Sequence, residues 1–218
     1  GICIMSIGYE VDFLPVGDGE KSGDAIAMRF GELLADPPQQ TVIVIDGGFE
    51  ASGEAIFEHI QKHYKTTTIN AVVLTHPDGD HASGIKVLLE KMTVQNLVMH
   101  LPWNHTDDID HLFQDDRVTD ESVKRRLRES LDAARELEKI AKRKGINIVE
   151  PFCDLYGFNK IMRVLGPTEA YYKSLLPGFR GTPEPKMGLA GAFGQFAMKA
   201  KEAVNMIAER WNIETLDD

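Results

Sequence analysis

Four side chains that often bind metal ions fall within six consecutive residues of this chain. The segment reads His76-Pro77-Asp78-Gly79-Asp80-His81 and offers two imidazoles and two carboxylates. This donor set suits Zn²⁺, Fe or Mn²⁺. Pro77 and Gly79 favour a non-helical turn in which the side chains converge. An acidic surface loop with two incidental histidines is the alternative, but the density of ligands argues against it. We therefore predict a metal site formed by His76, Asp78, Asp80 and His81.

The neighbouring sequence places this segment at the end of a strand. Residues 71–75 form an apolar, β-branched run that is typical of a buried strand, and a helix is predicted over 82–92. Open α/β sheets bind ligands at the carboxyl ends of their strands. The strand predicted over 96–100 ends at His100, and parallel pairing would bring that histidine to the same edge. His100 is therefore a candidate third ligand, with a hydrogen-bonded structural histidine as the alternative.

The remaining histidines are assigned to packing or to the surface. His105 lies in a loop and could line a pocket, although packing is favoured there. His59 and His63 belong to an amphipathic helix, and His111 lies among acidic residues. The basic cluster at 124–128 has carboxylates at helical spacing, so a solvated helix face explains it without a nucleic-acid partner.

Alternating strands and helices predict an α/β fold built on a mixed sheet, with helices on one face. The first three strands suggest an antiparallel meander, and helices separate the later strands. Ser52 is predicted to cap the first helix, and Gly145 to end the third. The predicted strands cover residues 10–16, 25–30, 41–45, 71–75, 96–100, 146–150 and 161–165. The later helices are predicted over 82–92, 120–144 and 196–211.

Length and composition favour one domain over residues 1–218. Hydrophobic residues make up 43% of the chain, and no apolar stretch is long enough to span a membrane. The net charge of −10 weakens a nucleic-acid interpretation without removing it, since bound cations can recruit a phosphate. Cys3 and Cys153 are predicted to be free thiols, which fits a reducing cytoplasm.

The metal motif resembles the His-x-His-x-Asp-His signature of the metallo-β-lactamase fold, with Asp78 in place of the second histidine. The variant His-x-Asp-x-Asp-His resembles that of the DNA-uptake protein ComEC and its soluble relatives. The resemblance extends over residues 8–92 and fades afterwards. Three further segments are similar to the family: Gly23-Asp24-Ala25-Ile26, Val44-Ile45-Asp46-Gly47-Gly48, and the run from Thr75 to Ser83-Gly84.

The resemblance implies an αββα, metallo-β-lactamase-like fold and two divalent metal ions, Zn²⁺ or Mn²⁺. It assigns His76 and Asp78 to one ion, and Asp80 and His81 to the other. Asp46 would support the loop by hydrogen bonding, with an ordinary turn residue as the alternative, and is counted with Asp80 as catalytic. Because the Asp78 carboxylate is a harder donor than imidazole, we expect a shift in preference from Zn²⁺ toward Mn²⁺.

The resemblance also implies a metal-dependent hydrolase. Two close cations activate water and stabilise charge on an attacked phosphorus or carbonyl centre. We expect cleavage of phosphodiesters by a phosphodiesterase or nuclease, with nucleic acid as a substrate class and no membrane partner. Hydrolysis of small esters or thioesters is the first alternative. A non-catalytic metal-binding module that binds a partner chain is the second.

The resemblance further implies that the chain holds mainly the first β-rich half of the fold with its helices. The family's sandwich takes ligands from two similar halves, whereas this sequence has about seven predicted strands and no histidine after His111. We therefore expect a domain that is incomplete at its C-terminus and is completed by a further segment or a partner chain. The isolated chain should then be weakly metallated, inactive and prone to associate.

Overall fold

A six-stranded mixed sheet carries the metal motif. The computed structural model describes residues 7–17 and 23–186. The strands are β1 Gly8–Phe13, β2 Ala25–Glu32, β3 Gln39–Gly47, β4 Thr68–Val73, β5 Thr93–Val98 and β6 Asn147–Val149. They lie side by side in chain order, with β1 to β3 antiparallel and β3 to β6 parallel. The predicted mixed sheet and its antiparallel meander are confirmed.

Two short strands follow β6 in place of the single strand predicted over 161–165. They are β7 Tyr156–Gly157 and β8 Met162–Arg163, which pair antiparallel as a small separate hairpin. The turn between β7 and β8 includes Phe158, Asn159 and Lys160, which all have positive φ. This left-handed turn pairs β8 with β7, and only Met162–Arg163 of the predicted strand is in β conformation.

Five α-helices lie among the described residues, and none of the helices there is long and apolar enough to cross a bilayer. Residues Ile60–Tyr64 continue the first helix as one π-helical turn. The helix predicted over 196–211 falls outside the described residues. The five are α1 Glu50–His59, α2 Gly79–Lys91, α3 Asp120–Ser130, α4 Asp132–Lys144 and α5 Glu169–Leu175.

Two helix starts differ from the prediction. Helix α1 begins at Glu50 with Phe49 at its N-cap position, so Ser52 is buried in the first turn and is not the cap. Helix α2 begins at Gly79, inside the motif, rather than at residue 82. The extended backbone of Asp78 occupies its N-cap position, and the Asp78 carbonyl accepts the first main-chain hydrogen bonds of the helix. Gly79 is thus the first helical residue and not part of a non-helical turn.

The helix predicted over 120–144 is two helices. Leu131 leaves the helical region, with φ −109° and ψ 50°, and Asp132 then starts α4. An apolar stripe continues across the break, because Val123 and Leu127 before it and Ala134 and Leu137 after it are all buried. Periodicity alone therefore could not reveal the interruption. Gly145 ends α4 in the left-handed conformation, as predicted.

The two faces of the sheet have different neighbours. Helices α1 and α2 pack against the strands, and the fully buried Val44, Val72 and Leu97 lie in register across β3 to β5. The alternate residues of the same strands face the β7–β8 hairpin and bound an apolar cavity of about 370 Å³. This face continues onto β1 with the exposed residues Tyr9, Val11 and Phe13.

The described chain divides into two units, and the sheet belongs to the unit formed by residues up to 101 and 131–169. The other unit contains 102–130 and the chain from 170 onward. In that second unit Trp103 and Phe113 are fully buried, and the Asp120 carboxylate accepts three backbone N–H groups of residues 108–110. The single domain predicted over 1–218 stays a prediction.

Candidate metal centre

Three side chains from three elements converge at the carboxyl edge of the sheet. Asp46 comes from the end of β3, His76 follows β4, and His81 lies in the first turn of α2. Each offers a ligand atom, and the three atoms all lie within 4.8 Å of one another. The possible metal ligands therefore lie together at the carboxyl edge of the sheet, where the strand-to-helix pattern of the sequence predicts them.

Asp46 is the buried anchor of this group. Only 1% of it is exposed, and its φ of 54° is the left-handed conformation in which β3 turns away before Gly48. Its Oδ1 accepts the Thr75 N–H at 2.8 Å, and its Oδ2 accepts the Thr75 hydroxyl at 2.5 Å. The same Oδ2 is 2.9 Å from Nδ1 of His81. Asp46 therefore contacts Thr75 and His81 by hydrogen bonds, and its supporting role in a metal centre stays a prediction.

These hydrogen bonds set the tautomers of both histidines. A carboxylate only accepts, so Nδ1 of His81 carries the proton that faces Asp46. The Thr75 hydroxyl gives its proton to Asp46, so Nδ1 of His76, 2.9 Å away, must donate to the Thr75 oxygen. In the neutral form of each ring, Nε2 is then the nitrogen without a proton. Metal-binding histidines are commonly oriented in this way by a partner on the other ring nitrogen.

Two carboxylates stand beside these Nε2 atoms. The Asp78 Oδ2 is 3.8 Å from Nε2 of His76, and the Asp80 Oδ2 is 4.0 Å from Nε2 of His81. The two imidazole rings have centroids 3.8 Å apart. These separations exceed a hydrogen bond, and the donors are imidazole nitrogen and carboxylate oxygen. The residues therefore fit divalent cations held between nitrogen and oxygen.

Burial is graded across the centre. The side chains of His81 and Asp46 are 9% and 1% exposed, whereas those of His76 and Asp78 are 46% and 59% exposed. A buried inner layer thus supports an exposed outer layer that solvent and small molecules can reach.

Close glycine contacts fix α2 relative to the strand that carries Asp46. A Cβ on Gly84 would overlap the carbonyl of Gly47, and a Cβ on Gly53 would overlap the carbonyl of Gly84. Helices α1 and α2 and the end of β3 therefore meet through main chain alone. This contact sets the distance from Asp46 to His81.

His100 lies near the same edge but outside the three-residue group. It follows β5, with Nδ1 4.0 Å from Glu150 Oε2 and its ring 4.7 Å from that of Phe152. Among the described residues the group comprises Asp46, His76 and His81. The assignment of His100 as a ligand stays a prediction.

The other histidines take packing or surface positions. His105 is buried, with its ring 5.6 Å from that of Tyr172, and His63 and His111 are exposed. His59 Nε2 contacts Asp12 Oδ2 at 3.0 Å. Burial raises the pKa of Asp12, but hydrogen bonds from Tyr64 and His59 outweigh it and hold that pKa below its usual value. These positions agree with the sequence interpretation.

Sequence reasoning assigned no role to two polar residues of the centre. The sequence predicts Thr75 only as the last residue of a strand, yet in the structure it links Asp46 to His76. Asp24 belongs in the sequence only to a family-like segment, yet its Oδ2 lies 4.0 Å from Nδ1 of His81. Residue type and spacing could not reveal either role. Threonine and aspartate are common next to strands and turns, and the partners Asp46 and His81 are distant from them in sequence.

Comparison with known families agrees with this geometry. The family model of the metallo-beta-lactamase superfamily matches residues 33–150, which is more than half of the chain and includes Asp46 and the whole motif. The chain therefore belongs to the metallo-beta-lactamase superfamily. A search of curated proteins gives no significant match.

Proposed function

We propose that the chain supplies the metal centre of a metal-dependent hydrolase of the ComEC-like branch, which cleaves phosphodiesters, nucleic acid among them. The observation that carries this proposal is the hydrogen-bond network of Asp46 and Thr75, which engages Nδ1 of both histidines and leaves their Nε2 atoms beside Asp78 and Asp80. His76 and Asp78 would hold one divalent cation, and Asp80 and His81 a second.

Cations bound there would supply Lewis-acid activation of water and stabilisation of phosphoryl charge. The chain's own residues supply orientation. Asp46 holds the His81 ring and, through Thr75, the His76 ring. The side chain of Asp80 is 36% exposed, so its carboxylate can accept a hydrogen bond from an attacking water.

The two carboxylates of the centre influence which metal it prefers and which substrate can approach it. The hard oxygens of Asp78 and Asp80 favour Mn²⁺ over Zn²⁺. An anionic phosphodiester can approach these carboxylates only after cations have balanced their charge. Hydrolysis of small esters or thioesters, and metal binding without catalysis, are the competing functions.

The test begins with metal content. Protein purified without chelators is analysed for transition metals beside a His76→Ala, His81→Ala double variant. A His63→Ala, His111→Ala double variant is the matched control, because both of those side chains are exposed and lie outside the centre. We expect bound metal in the wild type and the control and its loss in the first variant. Equal metal content in all three correctly folded proteins would contradict the proposal.

The same preparations then decide the reaction. After metal removal, Mn²⁺ or Zn²⁺ is added back, and cleavage of an activated phosphodiester, a carboxylic ester and a thioester is followed. Any hydrolysis by the complete protein should act on the phosphodiester, proceed faster with Mn²⁺ and be lost in Asp80→Asn. Preferential ester cleavage would support the first competing function, and stoichiometric metal without turnover the second.

A further inference from the structure

An additional carboxylate lies beside His81, on the segment that leads into β2. Oδ2 of Asp24 is 4.0 Å from Nδ1 of His81, and the Asp24 side chain is 65% exposed. Oδ2 of Asp46 contacts the same nitrogen at 2.9 Å from the buried side. One edge of the His81 ring thus has a buried carboxylate and a solvent-facing carboxylate.

Main-chain contacts hold Asp24 in this place. Gly23 packs so closely on the first turn of α2 that a Cβ there would overlap the carbonyl of Asp80. On its other side, Ala25 begins β2 and pairs with Gly47, the residue after Asp46. The backbone on both sides of Asp24 is therefore fixed against the metal motif, and its approach to His81 is a consequence of the fold.

The two carboxylates beside His81 have different capacities. Asp46 already accepts three hydrogen bonds, from Thr75 and His81, inside the protein. Asp24 faces solvent and lies outside that buried hydrogen-bond network, so its negative charge can act on the His81 ring. A negative charge at the Nδ1 edge strengthens the imidazole as a metal ligand and adds attraction for a dication a few ångström away.

We propose that Asp24 is a positioning carboxylate of the metal centre, which acts through His81 and strengthens the binding of divalent cations. This inference rests on the proposed function, because it concerns the same centre. It extends the centre to a fourth part of the chain, the segment that leads into β2, which precedes the motif by about fifty residues.

Calorimetric titration of the metal-free full chain with Mn²⁺ alone tests this role. Four proteins are compared: the wild type, Asp24→Asn, Asp24→Glu, and the control Asp116→Asn, which removes an exposed carboxylate of the other unit. We expect Asp24→Asn to bind Mn²⁺ about 10- to 100-fold more weakly, in the range typical of changes to the partners of metal ligands. Asp24→Glu should recover most of the affinity, and Asp116→Asn should match the wild type.

Thermal unfolding of the metal-free proteins accompanies the titration, and because Asp24 is exposed, all four should unfold at similar temperatures. Equal Mn²⁺ affinity of wild type and Asp24→Asn would overturn this inference and leave the proposed function intact. An equal loss in Asp24→Glu would also overturn it, since the charge would then not be what acts. Absence of Mn²⁺ binding by the wild type would overturn both proposals.

Discussion

At the scale of single residues, one buried carboxylate orients the imidazole rings of both histidines. Asp46 contacts His81 directly and reaches His76 only through the hydroxyl of Thr75. The motif itself could be predicted, because its donors are adjacent in sequence. The network could not, because the partners of Asp46 lie 29 and 35 residues away and only the folded sheet brings them together.

Replacement of Thr75 by valine tests that network. Thr75→Val keeps the shape of the side chain but leaves Asp46 without one donor and His76 Nδ1 without its acceptor. We expect Mn²⁺ affinity to fall about tenfold, and the free energy of unfolding to fall by about 1–2 kcal/mol. Calorimetry and denaturant unfolding measure the two effects. Thr93→Val, an exposed substitution at the start of β5, is the control and should change neither. Unaltered Mn²⁺ affinity in Thr75→Val would show that His76 needs no such partner.

At the scale of elements, the glycine contact between α1, α2 and β3 positions the centre. In Gly84→Ala the new Cβ would overlap the Gly47 carbonyl, so α2 must move away from β3. We expect the free energy of unfolding to fall by about 3 kcal/mol, with weaker metal binding because His81 moves with the helix. Denaturant unfolding measures the loss.

Gly79→Ala in the same helix is the matched control. There the nearest atom to an added Cβ is the Ser83 Oγ at 3.8 Å. The free energy of unfolding should stay the same or rise by up to about 1 kcal/mol, since alanine favours the helix. If both alanine variants were as stable as the wild type, the close contact at Gly84 would have no structural role.

Helix α4 contains an acid-sensitive ion-pair cluster. Glu138 is 3% exposed and contacts Arg135 and, at 2.6 Å, Lys142. Burial raises the pKa of Glu138, but the hydrogen bond of Lys142 and the charge of Arg135 outweigh it, so the folded-state pKa lies below the ordinary 4.5. A lowered folded-state pKa stabilises the protein above the unfolded-state pKa, and this stabilisation is lost as the pH falls through the folded-state value.

Glu138→Gln should therefore destabilise the chain most at neutral pH, and the difference from the wild type should shrink below about pH 4.5. Denaturant unfolding across this range measures the difference. Glu129→Gln in α3 is the control, because the side chain of Glu129 is 63% exposed and its ion pair with Arg125 should contribute little at any pH. A destabilisation by Glu138→Gln that stays constant into acid would contradict the assignment.

Element types could be predicted from the sequence better than their ends. The strands up to β5 follow apolar runs, so their existence was evident. The break at Leu131 was not, because it lies inside a continuous apolar stripe. The β7–β8 hairpin was not, because its strands are two residues long and residues with positive φ connect them. In each case a few backbone torsions, which periodicity does not report, decide the structure.

At the scale of the whole molecule, the formal charge of −10 opposes binding of any polyanion. If the proposed substrate class is correct, metal must supply the attraction. We expect the metal-free chain to leave a short DNA oligonucleotide unretarded in a gel, and the Mn²⁺-loaded chain to retard it. The His76→Ala, His81→Ala variant with Mn²⁺ should behave like the metal-free chain. Retardation that is independent of metal would place DNA binding on another surface.

The closeness of Asp46, Thr75, His76 and His81 along the chain has a consequence during biosynthesis. Contacts separated by 29 to 35 residues close small loops, and small loops form early and quickly. Chains emerge from the ribosome N-terminus first. Once α2, which ends at Lys91, has emerged, every residue of the three-donor group is available, while α4 at Asp132–Lys144 is still to be translated. If the proposed metal centre is correct, the nascent chain can bind an ion before its fold is finished.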